Sequence, residues 1–411
     1  MTALRLLVLA DTFSVDGTSP WLVEDLVAAL VRQGHSVDVI AKDMLTPRPL
    51  GVQDGPVPGV TVFSVGVTDV PTSVVDRRVR LPRAMWRLRR EAARWSRGRR
   101  YDAVLYTSLS WTKAGLPGHL VRTGVADVAV LVHWDFFPVH QREIGHFGRL
   151  PSLVDPALRA IESRAARQAD VVAVMTPRNR EFFESYFGTS DASFVTVPPW
   201  GSDQALQVSG DPTRPSSPFT VVFGGQITAG RGIEELVDAA AIVQASGSTS
   251  VRWRIFGQGP KSGWLADEVA GRGLTSVSVE GQVPRHEYAA VLAQSHCGLV
   301  ATVSGVSVPT FPSKLVDYCS ASLPVVIASE TSGDVGSWVQ DRGFGFAVPA
   351  GDPGALADAV VRMESVWRER SAWDAMSRAS RSAYESELSA DVAAERIAAA
   401  IALRLASGAS G

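Results

Sequence analysis

The chain has 411 residues, of which 45% are hydrophobic and 20% are charged, and its formal net charge is −2 at pH 7. This length favours two or three domains, since one domain usually takes roughly 100–200 residues. A nearly neutral chain has no overall attraction to nucleic acid or to anionic surfaces, so such binding would need a local cluster of charge. Two cysteines, Cys297 and Cys319, provide no disulfide framework and are typical of a reducing compartment.

Short apolar runs alternate with amphipathic segments along the first half of the chain. The run Leu4–Ala10 predicts a buried strand rather than a signal peptide, and Trp21–Gln33 predicts a helix. Further strands are predicted at Ser36–Ala41, Gly59–Val65, Ala103–Tyr106, Val128–His133, Val171–Met175 and Phe194–Val197. Runs this apolar are typical of parallel strands that helices cover on both faces. We therefore predict a doubly wound α/β domain over residues 1–200.

Residues 201–217 are rich in proline, glycine and serine and are predicted to be a linker. A second α/β domain is expected over residues 218–375, followed by a helical tail, 376–411, that crosses back to the first domain. The strands of the second domain are predicted at Phe219–Phe223, Trp253–Phe256, Val277–Val279, Gly298–Ala301 and Pro324–Ala328, with a helix at Gly232–Gln244. The fold class is therefore α/β, with two Rossmann-like parallel-sheet domains facing a cleft in which ligands would bind.

A glycine-containing segment follows the first strand of the second domain. Phe223 is followed by Gly224 and Gly225, and Arg231 stands at the start of an amphipathic helix. Glycines let a backbone come close to a ligand, and a helix start offers N–H groups and a positive dipole end to phosphate. The segment lacks the spacing of the dinucleotide and NTPase phosphate loops, so a simple glycine turn between strand and helix stays open as the alternative.

A second segment, Phe311–Val326, is more informative. Pro312 is predicted to be the first residue of a helix, which puts Ser313 and Lys314 in its first turn. Asp317 lies four residues after Ser313, on the same helix face. A diphosphate at this helix start would bring its ribose to the Asp317 carboxylate. The alternative is an acid that favours the helix dipole, although Asp317 lies late for that role.

Several segments resemble the family 4 retaining glycosyltransferases of the GT-B fold, and most closely those of capsular and exopolysaccharide synthesis. The likeness is carried by the Pro-x-Lys-Leu-x-Asp-Tyr element at 312–318, Gly34-His35 after the first helix, Val197–Gly201 between the domains, Arg254–Pro260 and Gly281–Val283. It extends over nearly the whole chain. The order and spacing of these segments are more specific than any one of them.

The resemblance implies sugar transfer from a nucleotide sugar, with UDP the commonest nucleotide in the family. It implies roles for residues in three groups. The catalytic residues are His133, which ends a strand of the first domain, Arg231 and Lys314. The donor-binding residues are Gly17, Gly225, Gln226, Gly257, Val283, Ser313 and Asp317. No cofactor or metal is implied.

Two positions depart from the family pattern. Many members have Glu eight residues before the ribose-binding acid, where this chain has Pro309, and many have Arg where this chain has Gln226. These changes leave open a module that binds nucleotide sugars without catalysis. A nucleotide-sugar epimerase on the same fold is a separate alternative.

The segment after His133 combines charged, aromatic and amide side chains where an acceptor would enter. Asp135, His140 and Glu143 are its predicted acceptor-side residues. The expected acceptor is a sugar or a lipid-linked sugar. The histidines of this segment lack any recognised zinc spacing.

Eleven arginines fall between positions 77 and 100, against only Asp76 just before the cluster and Glu91 within it, and apolar residues recur there at helical spacing. A basic amphipathic helix is typical of a membrane surface, while a solvated surface helix is the alternative. No module for nucleic acid is present, and no apolar run is long enough to span a bilayer. The expected location is the cytoplasm, with peripheral contact at the inner face of the membrane.

Overall fold

The computed structural model describes residues 2–14, 22–42, 49–55, 57–65, 74–108, 113, 115–145, 155–188, 191–202, 218–247 and 250–408. The predicted donor-binding Gly17 lies outside these residues. No helix in the described part of the chain is both long enough and apolar enough to cross a membrane.

The strands are short and mostly buried, as the apolar runs predict. In chain order they are β1 Arg5–Ala10, β2 Ser36–Ala41, β3 Gly51–Asp54, β4 Thr61–Ser64, β5 Tyr101–Thr107, β6 Ala126–His133, β7 Val171–Val174, β8 Ser193–Thr196, β9 Phe219–Gly224, β10 Val251–Phe256, β11 Val277–Gly281, β12 Cys297–Ala301, β13 Val325–Ser329 and β14 Gly345–Pro349.

Helices alternate with these strands, which is the pattern of parallel sheets joined by crossovers. They are α1 Leu22–Arg32, α2 Val74–Trp95, α3 Leu116–Arg122, α4 Val139–Glu143, α5 Asp155–Ala166, α6 Pro177–Phe187, α7 Ile233–Ala245, α8 Ser262–Gly271, α9 Arg285–Ala293, α10 Lys314–Ser320, α11 Val335–Asp341, α12 Pro353–Arg368, α13 Arg370–Ala383 and α14 Ala390–Gly408. A short π-helical turn, Tyr384–Leu388, precedes α14.

The chain forms two compact units. Unit 1 comprises residues 1–138, 151–198 and 390–411, and unit 2 comprises residues 139–150 and 199–389. The final helix, α14, packs on α1 within unit 1, where Arg32 forms an ion pair with Asp391 at 2.8 Å. Residues 139–150, which contain α4, belong to unit 2 although they lie in the first half of the sequence.

Unit 1 is built on a sheet with strand order β3-β4-β2-β1-β5-β6-β7-β8, in which only the edge pair β3–β4 is antiparallel. Strand β1 pairs with β2 on one side and with β5 on the other. The order reverses between β1 and β5, so the crevice at their carboxyl ends is the switch point at which α/β sheets bind ligands.

Unit 2 has a fully parallel sheet with the order β11-β10-β9-β12-β13-β14. Its switch point lies between β9 and β12. The core is formed by apolar side chains of these strands and of α7 and α12, among them Phe219, Val221, Leu236, Leu299 and Met363. Two parallel α/β units confirm the predicted GT-B fold class.

Some predicted boundaries need correction. Helix α10 begins at Lys314, with Ser313 at its N-cap, so Pro312 is not its first residue. The helix opens with two tight turns, in which the N–H groups of Leu315 and Val316 donate to the carbonyls of Pro312 and Ser313. Strand β3 was missed because alternate residues of this antiparallel edge strand are exposed, which leaves no continuous apolar run. Strand β14 was missed because glycine and proline bound a run of only three apolar residues.

Candidate functional site

The switch point of unit 2 lies beneath two loops, one after β9 and one after β12. Gly232 caps α7 in the left-handed conformation, with φ of 60°. A Cβ at this position would lie 2.6 Å from the Ala301 Cβ and 2.7 Å from the Thr302 carbonyl oxygen. Only glycine fits there, because the backbone is left-handed and no space is left for a Cβ. The two loops can meet because Gly232 has no side chain.

Lys314 reaches from the start of α10 to the loop after β9. Its Nζ lies 3.5 Å from the centroid of the Phe223 ring and 3.6 Å from the Cβ position of Gly225. Burial and, to a smaller extent, the charge of Arg231 hold the pKa of Lys314 well below its usual value. Among the described residues, no carboxylate offsets this lowering of the Lys314 pKa. Two basic side chains therefore converge at this crevice, and a bound anion would stabilise the charged form of Lys314 beside Arg231.

Main-chain hydrogen bonds join the loop after β9 to the ends of β10 and β11 at the same edge of the sheet. The Gly225 N–H donates to the Phe256 carbonyl at 3.0 Å, and the Gly257 N–H donates to the Gly281 carbonyl at 2.7 Å. A Cβ on Gly257 would lie 1.8 Å from the Gly225 oxygen, so only glycine fits. The predicted donor residues Gly225, Gln226, Gly257 and Val283 therefore lie on loops of one edge, where Gln226 is exposed.

Asp317 faces Arg285, the first residue of α9, at 3.7 Å. The Asp317 side chain is 31% exposed and that of Arg285 is 42% exposed, so both are within reach of a ligand. Sequence reasoning missed Arg285, although it stands only two residues after the predicted base-contacting Val283.

Two tyrosines support the end of β9, and sequence reasoning gave neither a role. The Tyr318 hydroxyl accepts a hydrogen bond from the Gly224 N–H at 3.2 Å and lies 3.1 Å from the Leu299 carbonyl oxygen, to which it can donate. The Tyr288 hydroxyl occupies the space beside Gly224, since a Cβ there would lie 2.0 Å from it. The only signal in the sequence was Tyr318 itself, at the end of the Pro-x-Lys-Leu-x-Asp-Tyr element.

His133 ends β6 in unit 1, as predicted, but its ring is only 1% exposed. It packs against Phe136, Phe183 and Phe187, with ring centroids 4.4, 5.1 and 5.6 Å away. Burial lowers the pKa of His133 to about 4, so the ring is neutral at pH 7. Neither ring nitrogen has a hydrogen-bond partner among the described residues. Direct contact with a ligand would require this aromatic cluster to rearrange.

An ion cluster that sequence reasoning missed lies at the switch point of unit 1. Asp11 directly follows β1, and its carboxylate bonds to Lys42, at 2.6 Å, and to Lys113. The Lys113 side chain is 1% exposed and that of Asp11 is 34% exposed. Burial alone would raise the pKa of Asp11, but the two ammonium groups lower it to about 2. The only available signal was a pair of polar residues, Asp11 and Lys42, each directly after an apolar run.

The three predicted acceptor-side residues separate between the units. Asp135 lies in unit 1, where its N–H donates to the Ser108 hydroxyl at 3.0 Å. His140 and Glu143 lie on α4 in unit 2, and Glu143 contacts Ser307 in the loop after β12.

Family comparisons match both halves of the chain. Residues 18–200 match the model "Glycosyl transferase 4-like domain", and residues 218–365 match "Glycosyl transferases group 1". No curated protein matches the chain.

Solved structures with the same fold cover nearly the whole chain. A sucrose-phosphate synthase from Thermosynechococcus elongatus has a TM-score of 0.71 at 16% identity, covering 98% of this chain and 100% of its own. An alpha,alpha-trehalose-phosphate synthase (UDP-forming) from Burkholderia vietnamiensis has a TM-score of 0.68 at 13% identity, covering 97% and 99%. Anabaena HepE, solved with UDP and glucose, has a TM-score of 0.65 at 14% identity, also covering 97% and 99%.

Identities this low establish the shared fold, while the two family models establish the kind of enzyme. The chain belongs to the glycosyltransferases of the GT-B fold, with a glycosyl transferase 4-like domain followed by a group 1 domain.

Proposed function

We propose that this enzyme transfers a sugar from a UDP-sugar to an acceptor, with retention of anomeric configuration, in the synthesis of a cell-surface polysaccharide or glycoconjugate. The observation that carries the proposal is the convergence of Lys314 and Arg231 at the switch point of unit 2. A diphosphate is the part of a nucleotide sugar that two cations and a glycine loop are suited to bind.

The neighbourhood of Lys314 also suits the rest of a nucleotide. Asp317 lies one helical turn along α10, and its carboxylate can accept hydrogen bonds from the two ribose hydroxyls. The loop Gly281–Val283 would border the base. UDP is favoured as the nucleotide because HepE was solved with UDP and the Burkholderia synthase is UDP-forming.

Retention is proposed from the family resemblance and fits a leaving group held by fixed charges. In such a reaction the diphosphate leaves from the sugar face that the acceptor attacks. Arg231 and Lys314 would stabilise the charge that develops on the departing phosphate, which is an electrostatic role. We assign no residue as a covalent nucleophile. The proposal leaves His133 the role of orienting the donor sugar, which its buried ring can take only after rearrangement.

A nucleotide and nucleotide-sugar screen by thermal shift tests the donor. The true donor should raise Tm most strongly, since a ligand at one hundred times its Kd stabilises the folded protein by about 2.7 kcal/mol. UDP release that requires an added acceptor, and a product whose anomeric configuration by NMR equals that of the donor, would support the proposal. Inversion would refute retention. Conversion of the donor into an epimer without any acceptor would identify the alternative enzyme, and binding without turnover with any acceptor tried would favour the non-catalytic module.

A lipid-linked acceptor is the second part of the proposal, and helix α2 supports it. Arg83, Arg89, Arg90 and Arg94 are exposed on this helix, while Leu88 is buried. The Trp86 side chain is 59% exposed, with Arg90 at 5.1 Å from its ring centroid. An exposed aromatic ring among arginines is suited to the headgroup region of an anionic bilayer, where each basic residue contributes about 1 kcal/mol.

Trp95, the last residue of α2, is less suited to that role than Trp86. Its ring stacks on Phe63 at 5.0 Å and under Arg99 at 3.8 Å, and its ring N–H is buried. The interfacial anchor proposed here is therefore Trp86 alone.

Vesicle co-sedimentation tests the membrane contact. We expect binding to vesicles with 30% anionic lipid that weakens with salt, and none to neutral vesicles, since charge attraction is screened within about 8 Å at 0.15 M ionic strength. Reversing Arg90 and Arg94 to Glu should abolish binding and leave UDP affinity intact. The matched control reverses Arg178 and Arg180, which lie on α6 and have exposed side chains near Glu181 and Glu184. Wild-type protein that stays in the supernatant at low salt would refute the contact and favour a soluble acceptor.

A further inference from the structure

The loop between β12 and α10 has Pro309 at the position where the family resemblance leads to the expectation of a glutamate. Residues 302–310 are called the donor loop below. It borders the switch point of unit 2 and leads directly to Ser313 and Lys314. Two carboxylates from distant parts of the sequence, Glu143 and Glu330, bind this loop on either side of Pro309.

Glu330 directly follows β13 and is only 4% exposed. One of its carboxylate oxygens accepts hydrogen bonds from the N–H of Thr310 at 2.7 Å and from its hydroxyl at 2.6 Å. The other oxygen accepts from the Thr302 hydroxyl at 2.8 Å. A single buried carboxylate therefore ties both ends of the donor loop to the end of a central strand.

Glu143 binds the middle of the same loop from α4. Its two oxygens accept hydrogen bonds from the Ser307 N–H, at 2.9 Å, and from the Ser307 hydroxyl, at 2.6 Å. The next residue, Ile144, packs on Gly230, where a Cβ would lie 2.9 Å from the Ile144 Cβ. The end of α4 therefore contacts both loops of the switch point, the donor loop and the loop that carries Arg231.

The two contacts repeat one arrangement, in which a carboxylate receives the N–H and the hydroxyl of a single residue. Hydrogen bonds to an ionised acceptor are roughly twice as strong as neutral ones. Pro309 lies between the two bound residues and has no N–H of its own, and its ring restricts φ. The backbone from Ser307 to Thr310 is consequently held from both sides.

We propose that Glu143 and Glu330 are positioning residues that hold the donor loop in the conformation in which the donor sugar is bound. Two remote carboxylates that act through Ser307 and Thr310 would then organise a loop that has proline at position 309. The inference rests on the proposed function for its catalytic consequence, but the state of the loop itself can be measured without any donor.

Hydrogen exchange of the free protein tests the loop directly. In Glu143→Ala, which removes a partly exposed side chain and should leave the fold intact, amide exchange across 302–310 should accelerate at least tenfold. Glu330→Gln should loosen Thr310 in the same way. The control is Glu181→Ala, which removes an exposed acid of helix α6 that pairs with Arg178, and it should leave the donor loop unchanged. Acceleration confined to the Ser307 amide, or none, would overturn the proposal.

Turnover separates positioning from simple structural support. Glu143→Ala and Ser307→Ala should each lower kcat with the UDP-sugar at least tenfold, while the Kd for UDP stays within twofold. The double variant should turn over no more slowly than the slower single variant, because one residue acts through the other. Additive losses, or a Kd for UDP that weakens in parallel with kcat, would overturn the proposal. Wild-type protein that binds no UDP would refute the proposed function, and hydrogen exchange would still decide the role of the two carboxylates.

Discussion

Replacing Asp317 with alanine is the sharpest test of the donor site. The carboxylate lies on α10 one turn beyond the helix start and is the group proposed to accept hydrogen bonds from the ribose hydroxyls. Asp317→Ala removes these bonds and leaves Lys314 and Arg231 in place to bind the diphosphate. We therefore expect the variant to fold normally and to bind UDP more weakly.

The expected loss follows from two contributions of opposite sign. Hydrogen bonds to a charged acceptor contribute about 1.5–3 kcal/mol. Asp317 also pairs with Arg285 at 3.7 Å, but both side chains are about a third or more exposed. Such a pair contributes about 0–1 kcal/mol, and the ribose competes with it in the wild-type protein. With about 0.5 kcal/mol, the middle of that range, subtracted for the ion pair, the net loss should be about 1–2.5 kcal/mol, which is roughly a 5- to 70-fold rise in the Kd for UDP.

Titration calorimetry with two ligands isolates the ribose contact. The Kd for UDP should rise in Asp317→Ala, whereas the Kd for inorganic pyrophosphate, which has no ribose, should not. Arg285→Ala is the matched control, since it removes the ion pair and keeps the carboxylate. Its Kd for UDP should change by less than about fivefold, the equivalent of 1 kcal/mol.

Two results would refute the reasoning. An unchanged Kd for UDP in Asp317→Ala would mean that the carboxylate does not contact the ribose. Equal weakening of UDP and pyrophosphate would mean that Asp317 supports the helix start rather than the nucleotide.

Arg231→Ala and Lys314→Ala should each lower kcat roughly 100-fold, because each removes one group that stabilises the charge of the transition state. The Tm should change little, and a wild-type kcat at saturating donor would contradict this assignment. Asp11→Asn should destabilise unit 1 by about 3 kcal/mol in urea unfolding, because Lys113 and Lys42 lose their shared anion. Since the pKa of Asp11 is about 2 in the folded chain and about 3.9 when unfolded, its contribution is present above about pH 4 and is lost as the pH falls toward 2. The free energy of unfolding of Asp11→Asn should therefore change less between about pH 4 and pH 2 than that of the wild-type protein. An equal change in both proteins would show that the ion cluster is not coupled to folding.

The fold could be predicted from local information because parallel strands covered on both faces must be apolar throughout. The runs that predicted β1, β2 and β9 lie within a residue or so of the observed strands. The edge strand β3 could not be recognised in this way, because its residues alternate between half-buried and exposed.

Much of the proposed donor side could also be chosen from the sequence, and its role stays a prediction. Arg231, Lys314 and Asp317 lie close to helix starts, where spacing along the chain determines which groups share a face. Their proximity in unit 2 follows from short loops at one edge of a parallel sheet. Arg285 was not recognisable, since its pairing with Asp317 joins two helices separated in sequence.

The sequence by itself determined the two parallel α/β units and the chain positions of the glycine loop and helix start that we propose bind phosphate, because both follow from patterns within about twenty residues. Only the tertiary structure decided which distant side chains meet. It brought Glu143 and Glu330 to the donor loop, Asp11 to Lys113, and enclosed His133 among phenylalanine rings. Such contacts depend on strand order and crossover packing, and no periodicity in a single chain encodes which residues they join.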